Sequence, residues 1–157
     1  MDHVDRILEQ WRSERPDLDP SPMAVIGRLS RVTAKVDAEL STTFKKHSID
    51  GSTFDVLATL RRQGPPFQLT PAELAAEAMI TTGAVAQRLN RLESAGLIRR
   101  RPDPEDGRGK LVDLTEQGQA LVDRVLPDHL ETEHRLLQDL TDAERAALAA
   151  LLARLDL

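Results

Sequence analysis

The chain has 157 residues and a formal net charge of −5; 40% of its residues are hydrophobic but only 3% aromatic, with one Trp, no Tyr and no Cys. That length suffices for one domain with a core. The missing cysteines exclude disulfide and thiolate chemistry, and no apolar run approaches the roughly 20 residues of a membrane span. The charged, periodic start MDHVDRILEQW does not read as a signal peptide, so a cytoplasmic protein is expected. The core has to be built from Leu, Val, Ile and Ala, a composition that favours helices.

Val4, Ile7, Leu8 and Trp11 follow the stripe of an amphipathic helix, which ERPDLDPSP then breaks. Ser21 at N-cap and Pro22 at N1 predict the start of a long second helix, with Val25, Ile26, Leu29, Val32, Val36, Leu40 and Phe44 on its apolar face. Ser52 is the expected cap of a third helix, with Asp55 at N3 and Phe54, Val56, Leu57 and Leu60 inward. Gly64-Pro65-Pro66 ends it. Thr70-Pro71-Ala72-Glu73 is a capping box with Pro at N1, opening the short helix LAAEAM. The turn Ile80-Thr81-Thr82 leads into GAVAQRLNRLESA, where Val85, Leu89 and Leu92 form the inward stripe and Gly96 takes the C′ position. Two strands follow, Leu97 to Arg101 and Lys110 to Leu114, joined across Asp106-Gly107, a pair that favours hairpin turns. Thr115 begins a long helix with a break expected near Pro127. Thr141-Asp142-Ala143-Glu144 is a second capping box, before a helix carrying Leu148, Leu151, Leu152 and Leu155.

Helix, helix, turn, helix and a two-stranded hairpin make a winged helix-turn-helix. The expected class is mainly α with a small β-wing, flanked by N- and C-terminal dimerisation helices. The net charge hides an asymmetry that suits this reading. Residues 85–101 hold Arg88, Arg91, Arg99, Arg100 and Arg101 against Glu93 alone, while residues 115–157 hold nine acids against four arginines. A local basic patch steers a polyanion even when the whole chain is acidic. The helix from Gly83 would enter the major groove, and the hairpin would reach the backbone or minor groove beside it. Expected DNA-binding residues are Thr81, Thr82, Gly83, Ala84, Gln87, Arg88, Arg91, Arg101, Arg108 and Lys110. The first two and last two helices carry more apolar face than one reading module can cover. A twofold homodimer on a pseudo-palindromic operator is the simplest use for it. Residues 1–48 and 116–157 are then dimerisation helices, and residues 50–115 the DNA-binding region, of a single domain spanning 1–157.

Two other functional classes fit the sequence less well. An enzyme finds no support: there is no GxSxG, no Walker loop and no cysteine nucleophile. The four histidines are scattered, and His129 and His134, five apart, sit about 140° from each other around a helix, so neither a metal nor a cofactor is expected. A winged-helix module that binds protein without DNA is disfavoured by the basic segment and Arg108.

The stretch LTPAELAAEAMITTGAVAQRLNRLESAGLIRRRPDPEDGRGKLVDLTEQG, residues 69–118, resembles the MarR family of bacterial transcription regulators, and the likeness runs over residues 21–157. The resemblance implies a homodimeric winged-helix repressor that leaves DNA when a small anionic or phenolic ligand binds. DHVDRILEQW and RPDLDPSPMAVIGRLSR are similar to the branch with an extra N-terminal helix, which includes urate-responsive regulators and regulators answering to trans-aconitate or citrate. In that branch a Trp, an Asp and two Arg form the ligand response; the matching positions are Trp11, Asp55, Arg88 and Arg100. Arg is a bidentate partner for planar anions, Trp offers a ring for stacking, and Asp55 would oppose an incoming negative charge.

Overall fold

A computed structural model describes residues 1–78, 82–104 and 109–155. The chain order is α1 (His3–Glu14), α2 (Met23–Lys46), α3 (Gly51–Arg62), β1 (Gln68–Leu69), α4 (Pro71–Glu77), α5 (Thr82–Ser94), β2 (Ile98–Pro102), β3 (Lys110–Leu114), α6 (Glu116–Leu136) and α7 (Asp142–Ala153). This is the expected mainly helical fold with a small sheet. Its residues group into two compact units, Met1–Glu39 and Leu40–Leu157.

In the first unit, Asp2 and Asp5 form a reciprocal capping box at the start of α1, each carboxylate accepting from the other's amide at 2.9 and 2.8 Å. Their remaining oxygens accept from Arg28 on α2, at 2.9 Å for Asp2 and 2.6 Å for Asp5. Those amide and guanidinium bonds hold both carboxyls below their ordinary range. Val4 and Leu8 are buried, and a Cβ added at Gly27 would meet Val4 at 3.4 Å, so α1 lies close against the α2 backbone. Ser21 and Pro22 do not open α2 as expected. The Asp19 carboxylate takes the Ser21 amide and hydroxyl, and Met23 and Ala24 donate three residues back to Pro20 and Ser21. The chain therefore makes a tight turn before the helix begins at Met23.

The second unit holds the core. Phe44 from α2, Phe54, Val56, Leu57 and Leu60 from α3, Leu74 from α4, Leu89 and Leu92 from α5, and Val122 and Val125 from α6 bury together with the sheet residues Ile98, Val112 and Leu114. Each such side chain contributes about 1.5–3 kcal/mol by leaving water. Phe44 stacks on Phe54 and on His129, and Phe54 and His129 meet at a tilt, with centroids 4.6–5.6 Å apart. Buried Thr43 and Thr132 share a hydroxyl hydrogen bond of 2.7 Å, joining the end of α2 to α6.

Besides the start of α2, four elements differ from expectation. The N-cap of α3 is Asp50, which accepts from the Thr53 amide at 2.7 Å; Ser52 lies inside the helix and Asp55 is not at N3. A short strand, β1, was not expected. It pairs antiparallel with β3 through Gln68↔Asp113 and Leu69↔Val112, making a three-stranded sheet in the order β1-β3-β2. Strand β2 runs one residue later than expected, Ile98–Pro102. Helix α6 continues through Pro127. Val122 and Val125 are buried before the proline and Thr132 after it, so tertiary packing outweighs a penalty of roughly 3 kcal/mol for an interior proline.

The capping boxes of α4 and α7 form as expected. Gly96, at φ +72°, closes α5: Gly96 N–H donates to Glu93 and Leu97 N–H to Leu92, the two bonds of a Schellman motif. Ile80, Thr81 and the turn residues Asp106 and Gly107 lie outside the described residues.

Candidate nucleic-acid interface

Helix α5 presents two unlike sides. Leu89 and Leu92 are buried, whereas Gln87, Asn90 and Arg91 are exposed. Gln can pair bidentately with adenine and Arg with guanine or phosphate, so this outer side carries the chemistry of groove reading. Thr82, Gly83 and Ala84 form the first turn of α5, where backbone N–H groups lack intrahelical acceptors.

Arg88 stands at the border between these sides, with 19% of its side chain exposed. Its Nη1 donates to Asp50 Oδ2 at 2.7 Å. The two oxygens of Asp50 divide their work, since Oδ1 accepts the Thr53 amide and the Ser52 hydroxyl at the head of α3. Burial pushes the Asp50 carboxyl up, but the Thr53 and Ser52 bonds and the Arg88 charge outweigh it and hold the group below its ordinary value.

A second ion pair ties the C-terminal turn of α5 to the wing. Glu93 Oε2 accepts from Arg100 Nε at 2.8 Å and Nη2 at 2.5 Å, while Oε1 accepts the Arg100 backbone amide at 2.8 Å. These bonds hold the Glu93 carboxyl below its ordinary value.

Strand alternation sorts the three consecutive arginines. Ile98, Val112 and Leu114 face the core, and Arg100 shares their side of the sheet. Arg99 and Arg101 share the other side with Asp113 and Gln68. There Asp113 Oδ2 accepts from Arg101 Nε at 2.7 Å and Arg99 Nη2 at 3.3 Å, and Arg101 Nη2 donates to Gln68 at 2.7 Å. Arg101 thus crosses from β2 over β3 to β1. Arg99 remains 70% exposed. Lys110, exposed at the start of β3, lies opposite Pro102.

The residues expected to answer a ligand fall into both units. Arg88, Arg100 and the half-buried Asp55 belong to the second. Arg88 and Arg100 are each engaged by an acid of their own chain. Trp11 belongs to the first, 45% exposed beside a shallow hollow with Arg15, Leu18, Asp19, Pro20 and Met23. Thr81 and Arg108 lie outside the described residues. Sequence reasoning missed Asp50, Glu93, Gln68 and Asp113. Asp113 left a signal, as an acid inside the apolar strand KLVDL, and so did Glu93, as the lone acid of the basic stretch 85–101. Among the described residues no group of three or more His, Asp or Glu is placed to hold a metal, and no helix is long and apolar enough to cross a membrane.

The family model described as "MarR family" matches residues 47–109. The chain is 43% identical over 153 residues to the HTH-type transcriptional regulator PecS of Dickeya dadantii, covering 98% of this chain and 92% of the relative. It is similar to a mutant MarR from E. coli complexed with operator DNA, with TM-score 0.76 and 30% identity, covering 94% of this chain and 98% of that one. A third likeness is to BpsR of Bordetella bronchiseptica, whose DNA binding is regulated by 6-hydroxynicotinic acid, with TM-score 0.76 and 28% identity over 83% of this chain and 91% of that chain. A winged helix with a polar, arginine-bearing α5, matched over nearly its whole length to these regulators, is one of their kind: the chain belongs to the MarR family of transcriptional regulators.

Proposed function

We propose that this chain is a cytoplasmic repressor that binds a pseudo-palindromic operator as a homodimer and releases it when a small anion binds. The observation that carries this reading is the pair of ion bridges on α5, one at its middle and one in its last turn. Arg88–Asp50 and Arg100–Glu93 fix the helix against α3 and β2. An anion that takes either arginine from its acid changes how α5 is held. Residues 50–115 form the DNA-binding region, with Thr81, Thr82, Gly83, Ala84, Gln87, Arg91, Arg108 and Lys110 toward DNA. Arg88 and Arg101 were expected there too; their internal bonds make them supports first. Residues 1–48 and 116–157 form the dimer. Leu148, Leu151, Leu152 and Leu155 are exposed, and no described residue of α7 is buried; such a helix needs an apolar partner, which a second copy supplies.

The ligand class is a planar anion such as urate, or a tricarboxylate such as trans-aconitate or citrate, met by Arg88 and Arg100 with Trp11 and Asp55 completing the response. The regulation of the similar BpsR by 6-hydroxynicotinic acid, an aromatic carboxylic acid, supports that class. DNA binding is tested by titrating the full chain onto the DNA beside its own gene over a salt series. Tight binding that weakens steeply with salt, with the log–log slope falling by about 0.9 in Arg91→Ala, is the expected result. Binding indifferent to salt contradicts it.

A further inference from the structure

Helix α3 ends in two consecutive arginines that turn to different neighbours. Arg61 Nε donates to Asp123 of α6 at 2.8 Å, and its guanidinium lies 5.0 Å from the Phe67 ring centroid. Arg62 Nη2 instead donates to the backbone carbonyl of Glu77, the last residue of α4, with the Glu77 carboxylate 3.6 Å away. A helix end leaves carbonyls without intrahelical donors, and α4 has no glycine to close it. Ala78 leaves in an extended conformation, φ −80° and ψ 149°, its amide donating to Leu74. A guanidinium at this point supplies the missing donor and a positive charge where the helix dipole is negative. Only residues 79–81 separate Ala78 from the first residue of α5.

We propose that Arg62 is a positioning residue for DNA binding: it fixes the end of α4, and so the point from which the chain runs into α5, without touching DNA itself. The inference rests on the DNA-binding reading above. Arg62 is 48% exposed and adds nothing to the core, so its replacement leaves the fold standing. Its Nη2, aimed by the planar guanidinium, faces the carbonyl and the carboxylate together, a placement that a lysine ammonium reproduces only in part.

The test uses full-length Arg62→Ala, Arg62→Lys and Glu77→Gln, with operator affinity measured over a salt series and amide exchange followed at Ala78. Arg62→Ala is expected to bind DNA roughly 3- to 10-fold more weakly, with an unchanged salt slope and faster exchange at Ala78. Arg62→Lys recovers part of both. Glu77→Gln stays near the parent, because the accepting carbonyl is backbone. A salt slope lower by about 0.9 would mean that Arg62 grips a phosphate, and unchanged affinity would mean that it positions nothing; either overturns the proposal. If the parent chain binds no DNA, the DNA reading fails on its own, while unchanged exchange at Ala78 in Arg62→Ala removes the cap independently.

Discussion

Arg88 at the middle of α5 and Asp50 at the head of α3 meet at 2.7 Å through one oxygen of Asp50, while the other oxygen caps α3. The pair can therefore open without unravelling α3. An anion seeking Arg88 competes with a carboxylate already seated there. Asn caps a helix about as well as Asp but carries no charge. Asp50→Asn is therefore predicted to lower the anion concentration for half-release of DNA roughly 3- to 10-fold, with little change in thermal stability. An unchanged half-release concentration in an anisotropy assay would separate Asp50 from the ligand response.

Acid should weaken the protein through carboxylates held by hydrogen bonds. Asp50 and Glu93 have folded values below their ordinary 3.8 and 4.5. A lowered folded value gives stability that is present above the unfolded value and lost as pH falls through the folded one. Thermal midpoints should hold above about pH 5 and drop progressively below pH 4. Glu93→Gln should show a shallower drop. A midpoint rising on acidification would contradict the assignment.

Gly118, in the first turn of α6, faces the Leu97 carbonyl so closely that an added Cβ would stand 2.1 Å from its oxygen. Alanine normally favours a helix interior by about 1 kcal/mol over glycine, but here the clash decides the sign. Gly118→Ala should destabilise by about 1–3 kcal/mol, read as a lower urea midpoint. A stabilised variant would show that α6 can move off Leu97.

Much of this fold was legible because its signals are local. The Thr70 and Thr141 capping boxes and Gly96 formed where they were read, since cap and partner lie within a few residues. Asp50 and Ser52 are both good cap types two residues apart, and periodicity alone does not choose between them. Strand β1 has two residues, too few for an alternation to show. Pro127 is overridden by packing from elsewhere in the unit. The ion pairs were the least legible part of the site: Asp50 and Arg88 are 38 positions apart, and the row of three arginines says nothing of which acid each will meet.

Leu151 is 57% exposed on α7, beside Leu148, Leu152 and Leu155. A charge in that patch would have to be buried unpaired in the dimer. Leu151→Glu should shift the protein toward monomer in sedimentation velocity and reduce operator affinity at least tenfold, since two linked heads bind far better than one. A variant that stays dimeric would move the interface off α7.

The most direct measurement is fluorescence anisotropy of the intergenic DNA beside the gene, titrated with the full chain with and without urate, citrate and trans-aconitate. The account predicts tight binding that one of these anions weakens by about 5- to 150-fold, and loss of that response in Arg88→Ala. Tight binding indifferent to all three anions would contradict the ligand assignment, and no specific binding would contradict the account as a whole.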